Sequence, residues 1–160
     1  MRLSTKGRYA VMAMVDLARH SGGAPVSLAD IAGREEISLS YLEQLFAKLR
    51  RGGLVKSVRG PGGGYLLARG RDDTRISDII LAVDEPIRAT RCAPGGPIGC
   101  RGDRSRCLTH DLWEELGNQI HLYLTSVSLG DVCERRILGT SGLIRHEAYN
   151  GHSANVAEIG

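Results

Sequence analysis

The sequence predicts a mainly α-helical fold with one small β-hairpin and a long helix in its C-terminal half. Apolar residues recur at helical spacing over most of the chain, and Gly and Pro are concentrated between these periodic segments. Between Leu54 and Ala68, in contrast, two short runs of strand-forming residues flank a glycine-rich turn. A later apolar pattern, from Asp111 to Leu129, continues for about five helical turns.

The first three periodic segments are predicted to be helices separated by loops or turns. The first runs from Thr5 to about His20, and a short second helix follows Ser27, whose hydroxyl suits an N-cap. The third, SYLEQLFAKLRR, is capped by Ser38 or Ser40 and ends at two glycines. Its apolar stripe, which we expect to be buried, consists of Leu42, Leu45, Phe46 and Leu49.

The segments that follow complete a recognisable order. Leu54 to Arg59 is predicted to be a strand, Gly60 to Gly64 a turn and Tyr65 to Ala68 the returning strand, followed by a short helix from Ile76 to Val83. Helix, short helix, third helix and hairpin is the order of a winged helix-turn-helix. We therefore predict a winged helix-turn-helix domain over residues 1–86, a loop over 87–110, a dimerisation helix over 111–130 and a flexible tail over 131–160.

Charge is distributed unevenly along the chain. Residues 1–70 contain 11 lysines and arginines against 5 acidic residues, a net of +6, whereas residues 71–160 contain 10 against 13, a net of −3. A basic half joined to an acidic half favours contact between the first half and a polyanion.

The longest apolar run is too short for a membrane span and lacks the flanks of a signal peptide, so we expect a cytoplasmic protein with reduced thiols.

The third helix and the hairpin supply the candidate DNA contacts. The second helix of a helix-turn-helix enters the major groove, and hydroxyls near its start suit phosphates whereas Gln suits an adenine edge. The candidates on this helix are Ser38, Ser40, Tyr41, Glu43 and Gln44. Three of them have simpler alternatives, since the two serines can act only as caps and Glu43 can be a solvated carboxylate paired with Lys48 or Arg50.

Arg59 stands at the base of the turn RGPGGGY, where little side-chain bulk separates the backbone from a partner. Arginine is favoured in narrow, electronegative minor grooves, which makes Arg59 a candidate DNA contact of the wing. A nucleotide-binding phosphate loop is a weaker interpretation, because the turn lacks the GxxxxGK[ST] pattern and leads into a strand.

Residues 91–110, RCAPGGPIGCRGDRSRCLTH, hold three of the four cysteines of the chain. Structural zinc sites commonly use cysteine pairs about two to four residues apart, which this stretch lacks, and a reducing compartment disfavours a disulfide. Spread thiolates favour an iron–sulfur cluster, in which histidine can also serve as a ligand, with zinc and unligated thiols left as alternatives. The candidate ligands are Cys92, Cys100, Cys107 and His110, whereas Cys133 lies apart and is interpreted as a thiol outside the site.

The long predicted helix carries an apolar stripe near the 3.5-residue spacing of coiled coils. Its members are Leu112, Leu116, Ile120, Tyr123 (or Leu124) and Val127. A helix of this length in a small domain favours a two-fold dimer, which also matches paired helix-turn-helix half-sites. Packing against its own winged domain is the alternative.

Several motifs together strongly resemble the IscR family, the iron–sulfur cluster regulators of bacteria. They are MRLSTKGRYAVMAM, ISLSYLEQLFAKLRRGGLVKSVRGPGGGYLL, AVDE and TRC…C…RCLTHDLW, and the likeness extends from Met1 to about Leu129. The resemblance implies a dimeric winged helix-turn-helix with a 2Fe–2S cluster held by Cys92, Cys100, Cys107 and His110. It also implies that Ser38, Ser40, Tyr41, Glu43, Gln44 and Arg59 contact or discriminate DNA.

Two features depart from the family pattern. The gaps between the cysteines are slightly longer than in its best-known members, and the tail with Cys133 and His146 has no counterpart.

By the resemblance, the cluster-bound form represses the cluster-assembly operon, the apo form binds a second class of sites, and Glu43 takes part in that choice.

We therefore expect a cytoplasmic transcriptional regulator without enzymatic activity, which binds double-stranded DNA as a homodimer and receives its 2Fe–2S cluster from donors of the assembly machinery. Related regulators that respond to iron or nitric oxide remain alternatives, as does a zinc-bound DNA-binding protein. A third class is an electron-transfer or cluster-carrier protein whose basic half docks an acidic partner.

Overall fold

The fold was analysed in a computed structural model, which describes residues 4–88, 101–103 and 105–137. The helices are α1 Thr5–His20, α2 Leu28–Glu35, α3 Leu39–Arg51, α4 Ile76–Ala82, α5 His110–Ser126 and α6 Leu129–Cys133, and the strands are β1 Val55–Val58 and β2 Gly64–Leu67. This order confirms the mainly α-helical winged helix-turn-helix. No helix within these described ranges has the length and apolar character needed to cross a membrane.

The core forms around α1, which packs against α2, α3, α4 and α6. The residues that α1 buries completely are Ala10, Ala13, Met14 and Leu17. The predicted stripe of α3 is buried throughout, and α4 adds Ile76, Ile79 and Ile80 to the same core. Burial of this apolar surface is the main favourable contribution to folding, so α1 and α3 hold each other in place.

The hairpin is antiparallel, with Val55 opposite Leu67 and Val58 opposite Gly64. The first strand is shorter than predicted, because Leu54 and Arg59 lie outside the paired register. The second strand is shifted by one residue, since it begins at Gly64 and ends before Ala68. Tyr65 also exchanges two backbone hydrogen bonds with Val26, of 2.8 and 3.0 Å, which joins the hairpin to the segment before α2.

The C-terminal part of the described chain differs from its predicted boundaries. The long helix begins at His110 and ends at Ser126, and α6 follows at residues where a flexible tail was predicted from 131. Ser128 causes this break, because its hydroxyl accepts a hydrogen bond from the Asp131 N–H while the Asp131 carboxylate accepts one from the Ser128 N–H. The rest of the predicted tail, residues 138–160, lies outside the described residues.

The chain around α6 returns to the winged domain. The Leu129 N–H donates to the Thr74 carbonyl at 2.8 Å, and the Ile76 N–H donates to the Val127 carbonyl at 3.0 Å. Leu129 is fully buried, and Val127 is buried beside it. Residues after the long helix therefore complete the core of the domain that was predicted to end at residue 86.

Candidate DNA-binding surface and metal centre

The turn between α2 and α3 fixes the direction of the third helix. Glu36 adopts a left-handed conformation with φ of 54°, and the buried Ile37 donates its N–H to the Ala32 carbonyl at 3.2 Å. Ser38 is the N-cap, since its hydroxyl accepts a hydrogen bond from the Tyr41 N–H at 3.3 Å. The sequence left Ser38 and Ser40 as alternative caps, and the geometry selects Ser38.

Ser40, Glu43 and Gln44 lie on the exposed side of α3, opposite its buried stripe. The Ser40 hydroxyl lies 3.5 Å from that of Ser38, so the two hydroxyls stand together at the start of the helix. The α3 surface thus presents hydroxyl, carboxylate and amide groups in the first turns, where a helix-turn-helix reads the major groove.

Glu43 makes no ion pair with any residue that the structure describes. Lys48, one of its two expected partners, instead pairs with Asp84, with 2.8 Å between Nζ and Oδ2. The carboxylate of Glu43 is exposed and available to an external donor.

Tyr41 is less exposed than the sequence suggested. Its ring packs edge-on against the ring of Tyr9, with centroids 6.0 Å apart, and it is half-buried beside the core. Tyr41 therefore holds the start of α3 against α1, a contact that depends on the tertiary fold and that helical periodicity does not reveal.

Close backbone packing shapes the wing. A Cβ atom at Gly63 would lie 2.4 Å from the Val58 carbonyl oxygen, and one at Gly64 would lie 2.3 Å from the Val26 carbonyl oxygen. A side chain at Gly63 would clash with the backbone of the turn, and one at Gly64 would clash with the segment before α2. Arg59 is exposed at the base of this turn, and other exposed cations stand nearby in the chain, namely Arg50, Arg51 and Lys56.

Two of the predicted metal ligands, Cys107 and His110, lie in the backbone turn that begins α5. His110 is the first residue of α5 and only 4% exposed, and its N–H donates to the Cys107 carbonyl at 3.0 Å. The Cys107 thiol lies 3.5 Å from the Thr109 hydroxyl, which favours a fixed orientation of the sulfur. Cys92 and Cys100 lie outside the described residues.

Two carboxylates, those of Asp111 and Glu114, also lie near His110. Glu114 stands one turn further along α5, with 3.4 Å between its Oε2 and the Nε2 of His110. His110, Asp111 and Glu114 each offer one ligand atom, and these atoms lie within 4.8 Å of one another. The two carboxylates were not predicted, although a histidine and a glutamate four residues apart on a predicted helix are expected to share a face. Oxygen ligands suit a single hard cation, whereas thiolates suit a cluster.

Helix α5 leaves much of its apolar surface uncovered by the described residues. The exposed members are Leu112, Trp113, Leu122 and Tyr123. Of the predicted apolar stripe, Leu112 and Tyr123 are exposed, whereas Leu116 and Ile120 are half-buried. Val127 was wrongly included, since its backbone and side chain belong to the core of its own domain.

Transcriptional regulators from other bacteria are similar to this chain in sequence. A regulator named IscR from Photorhabdus laumondii is 54% identical over 163 residues, covering 99% of this chain and 98% of that protein. The IscR of Escherichia coli O1:K1 is 52% identical over 143 residues, covering 89% of this chain and 86% of that protein. These similarities confirm the resemblance that the motifs indicated. The expectation that the C-terminal tail has no counterpart is wrong, because the first of these alignments covers 99% of this chain.

Solved structures of related regulators have a similar fold. IscR of T. potens is 40% identical with a TM-score of 0.68, covering 85% of this chain and 88% of that chain. The global cysteine regulator CymR of B. subtilis is 34% identical with a TM-score of 0.70, covering 84% and 98%. The family model "Rrf2: Iron-dependent Transcriptional regulator" matches residues 3–135. The chain therefore belongs to the Rrf2 family and is a DNA-binding transcriptional regulator, not an enzyme.

Proposed function

We propose that the protein controls iron–sulfur cluster assembly genes through a 2Fe–2S cluster that adjusts its affinity for double-stranded DNA. The observation that carries the proposal is the turn at the start of α5, where the N–H of the buried His110 donates a hydrogen bond of 3.0 Å to the carbonyl of the partly exposed Cys107. An imidazole and a thiol in one turn are a ligand pair that iron–sulfur clusters use.

The remaining ligands in this proposal are Cys92 and Cys100, and the cluster-binding loop is residues 87–110. The donor chemistry fits, since three thiolates and one imidazole complete the ligand set of one cluster. A bound cluster would supply an iron-dependent redox centre. Thr109 orients the Cys107 sulfur, and Glu114 faces the Nε2 side of the His110 ring.

The DNA contacts follow from the exposed side of α3 and the wing. Ser38 and Ser40 approach phosphates, while Gln44 and Glu43 reach base edges, with Glu43 accepting from cytosine N4. Tyr41 contributes chiefly by bracing α3 against Tyr9. Arg59 enters the minor groove beside the wing.

The active form in this proposal is a homodimer that pairs α5 with α5 of a second copy. Burial of Leu112, Trp113, Leu122 and Tyr123, which are exposed in the single chain, would stabilise it. A two-fold dimer presents its two α3 helices to DNA half-sites about one helical turn, or a multiple of one turn, apart. The protein would work in the cytoplasm, where donors of the assembly machinery deliver the cluster.

The experiment compares DNA affinity with and without the metal. Protein prepared without oxygen and the same protein after chelator treatment are titrated with a duplex that the protein itself selects from a random library, at two salt concentrations. We expect the two forms to differ in affinity, and both to bind more weakly at higher salt. Identical affinities would contradict the sensing role, and salt-independent binding would contradict the DNA interface.

One observation favours a second candidate, a regulator that responds to a single divalent cation. His110, Asp111 and Glu114 place one nitrogen and two oxygen donors within 4.8 Å of one another. Such a set suits one iron or zinc ion rather than a cluster. Stoichiometric metal without acid-labile sulfide would favour this candidate.

A further inference from the structure

Two consecutive acidic residues, Asp84 and Glu85, follow α4 and bind the chain to α1 and α3, before the cysteine segment begins. Glu85 is bound to the first turn of α1. Its Oε1 accepts a hydrogen bond of 2.5 Å from the Ser4 N–H, and its Oε2 accepts bonds of 2.5 Å from the Ser4 hydroxyl and 2.6 Å from the Gly7 N–H. Hydrogen bonds to an ionised acceptor are about twice as strong as neutral ones, and a carboxylate complements a helix N-terminus.

The ionised state of Glu85 is favoured where it lies. Partial burial alone would raise its pKa, but the hydrogen bonds from Ser4 and Gly7, together with nearby Lys6, outweigh burial and lower the pKa. Glu85 therefore remains a carboxylate at neutral pH and accepts all of these bonds.

Asp84 makes the second attachment, to the DNA-reading helix. Its Oδ2 lies 2.8 Å from the Nζ of Lys48 on α3. Lys48 stands one helical turn beyond Gln44, a candidate base contact. Asp84 adopts a left-handed conformation with φ of 57°, which Asp and Asn tolerate better than most residues. This turn aims Asp84 and Glu85 at two different helices.

Apolar residues on either side of Asp84 and Glu85 pack against the core and hold this segment in place. Val83, immediately before the pair, is fully buried, and Ile87, shortly after it, packs partly against the core. The chain then continues toward Cys92. Along the covalent chain, Glu85 and Asp84 lie between the cysteines and both α1 and α3. A displacement that begins at the cysteines and follows the chain therefore reaches these two carboxylates first.

We propose that Asp84 and Glu85 are positioning residues through which the metal state of residues 91–110 changes the placement of α1 and α3 on DNA. The proposal rests on the proposed function, since it assumes that metal binding by the cysteine segment alters DNA affinity. Coupling of this kind requires an element that both sites influence, and this pair contacts the first turn of α1 and the last turns of α3.

DNA affinities of the metal-loaded and metal-free forms distinguish a purely structural role of Asp84 and Glu85 from a positioning role. If the pair only stabilises the domain, its loss weakens DNA binding by the metal-loaded and metal-free forms alike. If it couples the two sites, its loss changes the ratio of the two affinities. That ratio is therefore the quantity to measure.

The test uses full-length protein with Glu85→Gln and Asp84→Asn. Gln presents an amide that cannot accept all three bonds, and Asn retains the left-handed conformation while losing the charge. Asp78→Asn is the matched control, because Asp78 on α4 pairs with Arg69 at 3.8 Å and contacts neither Ser4 nor Lys48. Each protein is prepared without oxygen, and its affinity for the selected duplex is measured before and after chelator treatment.

For the unaltered protein and Asp78→Asn, we expect a ratio in the range typical of coupled sites, roughly 5–150-fold. For Glu85→Gln and Asp84→Asn, we expect the ratio to fall towards one. If both variants keep the wild-type ratio, the positioning role is overturned while the proposed function stands. A ratio of one in the unaltered protein overturns both.

A second readout does not depend on DNA. Amide hydrogen exchange at Gly7 and along α3 should change when metal is removed from the unaltered protein, and this response should be lost in Glu85→Gln. A double-mutant cycle with Lys48→Gln tests the other attachment, since Asp84→Asn should add no further change to the ratio once Lys48 is replaced. Additive effects of the two substitutions would contradict the Asp84–Lys48 connection.

Discussion

His110 and Glu114 face each other across one turn of α5, with 3.4 Å between the imidazole Nε2 and the carboxylate Oε2. The imidazole is almost completely buried, whereas Glu114 is partly exposed at the edge of the site. A carboxylate beside a ligating histidine holds the ring in orientation, and loss of such partners commonly lowers metal affinity by about 10–100-fold. In the proposed metal centre, Glu114 would therefore link the stability of the centre to a residue outside the expected ligand set.

We predict that Glu114→Gln shortens the retention of the metal without abolishing its binding. The measurement is the rate at which visible absorption disappears when protein prepared without oxygen is exposed to a chelator, and we expect that loss to be about tenfold faster. Glu115→Gln is the control, because the Glu115 carboxylate is exposed and accepts a hydrogen bond from Gln119. Equal rates for the two variants would show that Glu114 does not support the site.

Arg59→Ala should weaken DNA binding and reduce its dependence on salt. Each phosphate-neutralising contact contributes about −0.9 to the slope of log affinity against log salt. Loss of the Arg59 charge from the minor groove, between the two phosphate backbones, should therefore make the slope shallower by at most about one unit per subunit. Arg69→Ala is a suitable control, because Arg69 pairs with Asp78. An unchanged affinity and slope in Arg59→Ala would remove the wing from the DNA interface.

Glu43→Ala should relax sequence preference more than it changes affinity for the preferred duplex. An exposed carboxylate repels phosphates in every sequence but accepts a hydrogen bond only from a suitably placed donor such as cytosine N4. Binding of the variant to a panel of duplexes with single base-pair changes measures this effect. A preference profile identical to that of the unaltered protein would show that Glu43 is only a solvated surface charge.

Leu129→Ala should destabilise the winged domain although the residue follows the long helix. Leu129 is completely buried, and truncation of such a leucine costs about 2–5 kcal/mol. Leu108→Ala, at a position that is 98% exposed, should leave the free energy of unfolding almost unchanged. Chemical denaturation monitored by circular dichroism gives both values, and equal stability of the two variants would contradict the packing of α6 into the core.

Local sequence patterns were sufficient for the DNA-binding half of the fold. The stripe of α3 and the glycine-rich turn of the wing depend on helical periodicity and on backbone conformation, which neighbouring residues determine. The same patterns predicted the exposed positions of Ser40, Glu43 and Gln44, because these lie opposite the buried stripe.

Contacts between distant parts of the chain escaped prediction. Glu85 binds Ser4 across 81 residues of sequence, and Val127 joins the core through a backbone bond to Ile76. Tyr41 appears as an exposed residue by periodicity but packs on Tyr9 of another helix. Such contacts depend on how the helices assemble, and no local pattern encodes them.

The proposed 2Fe–2S centre can be tested by measuring zinc, iron and acid-labile sulfide, and the visible spectrum, in protein purified without oxygen. We expect a reddish-brown protein with iron and sulfide in equal amounts, and loss of both in variants that replace Cys107 or His110. Colourless protein with stoichiometric zinc and no sulfide would contradict the 2Fe–2S assignment, while leaving the DNA-binding surface of α3 and the wing in place.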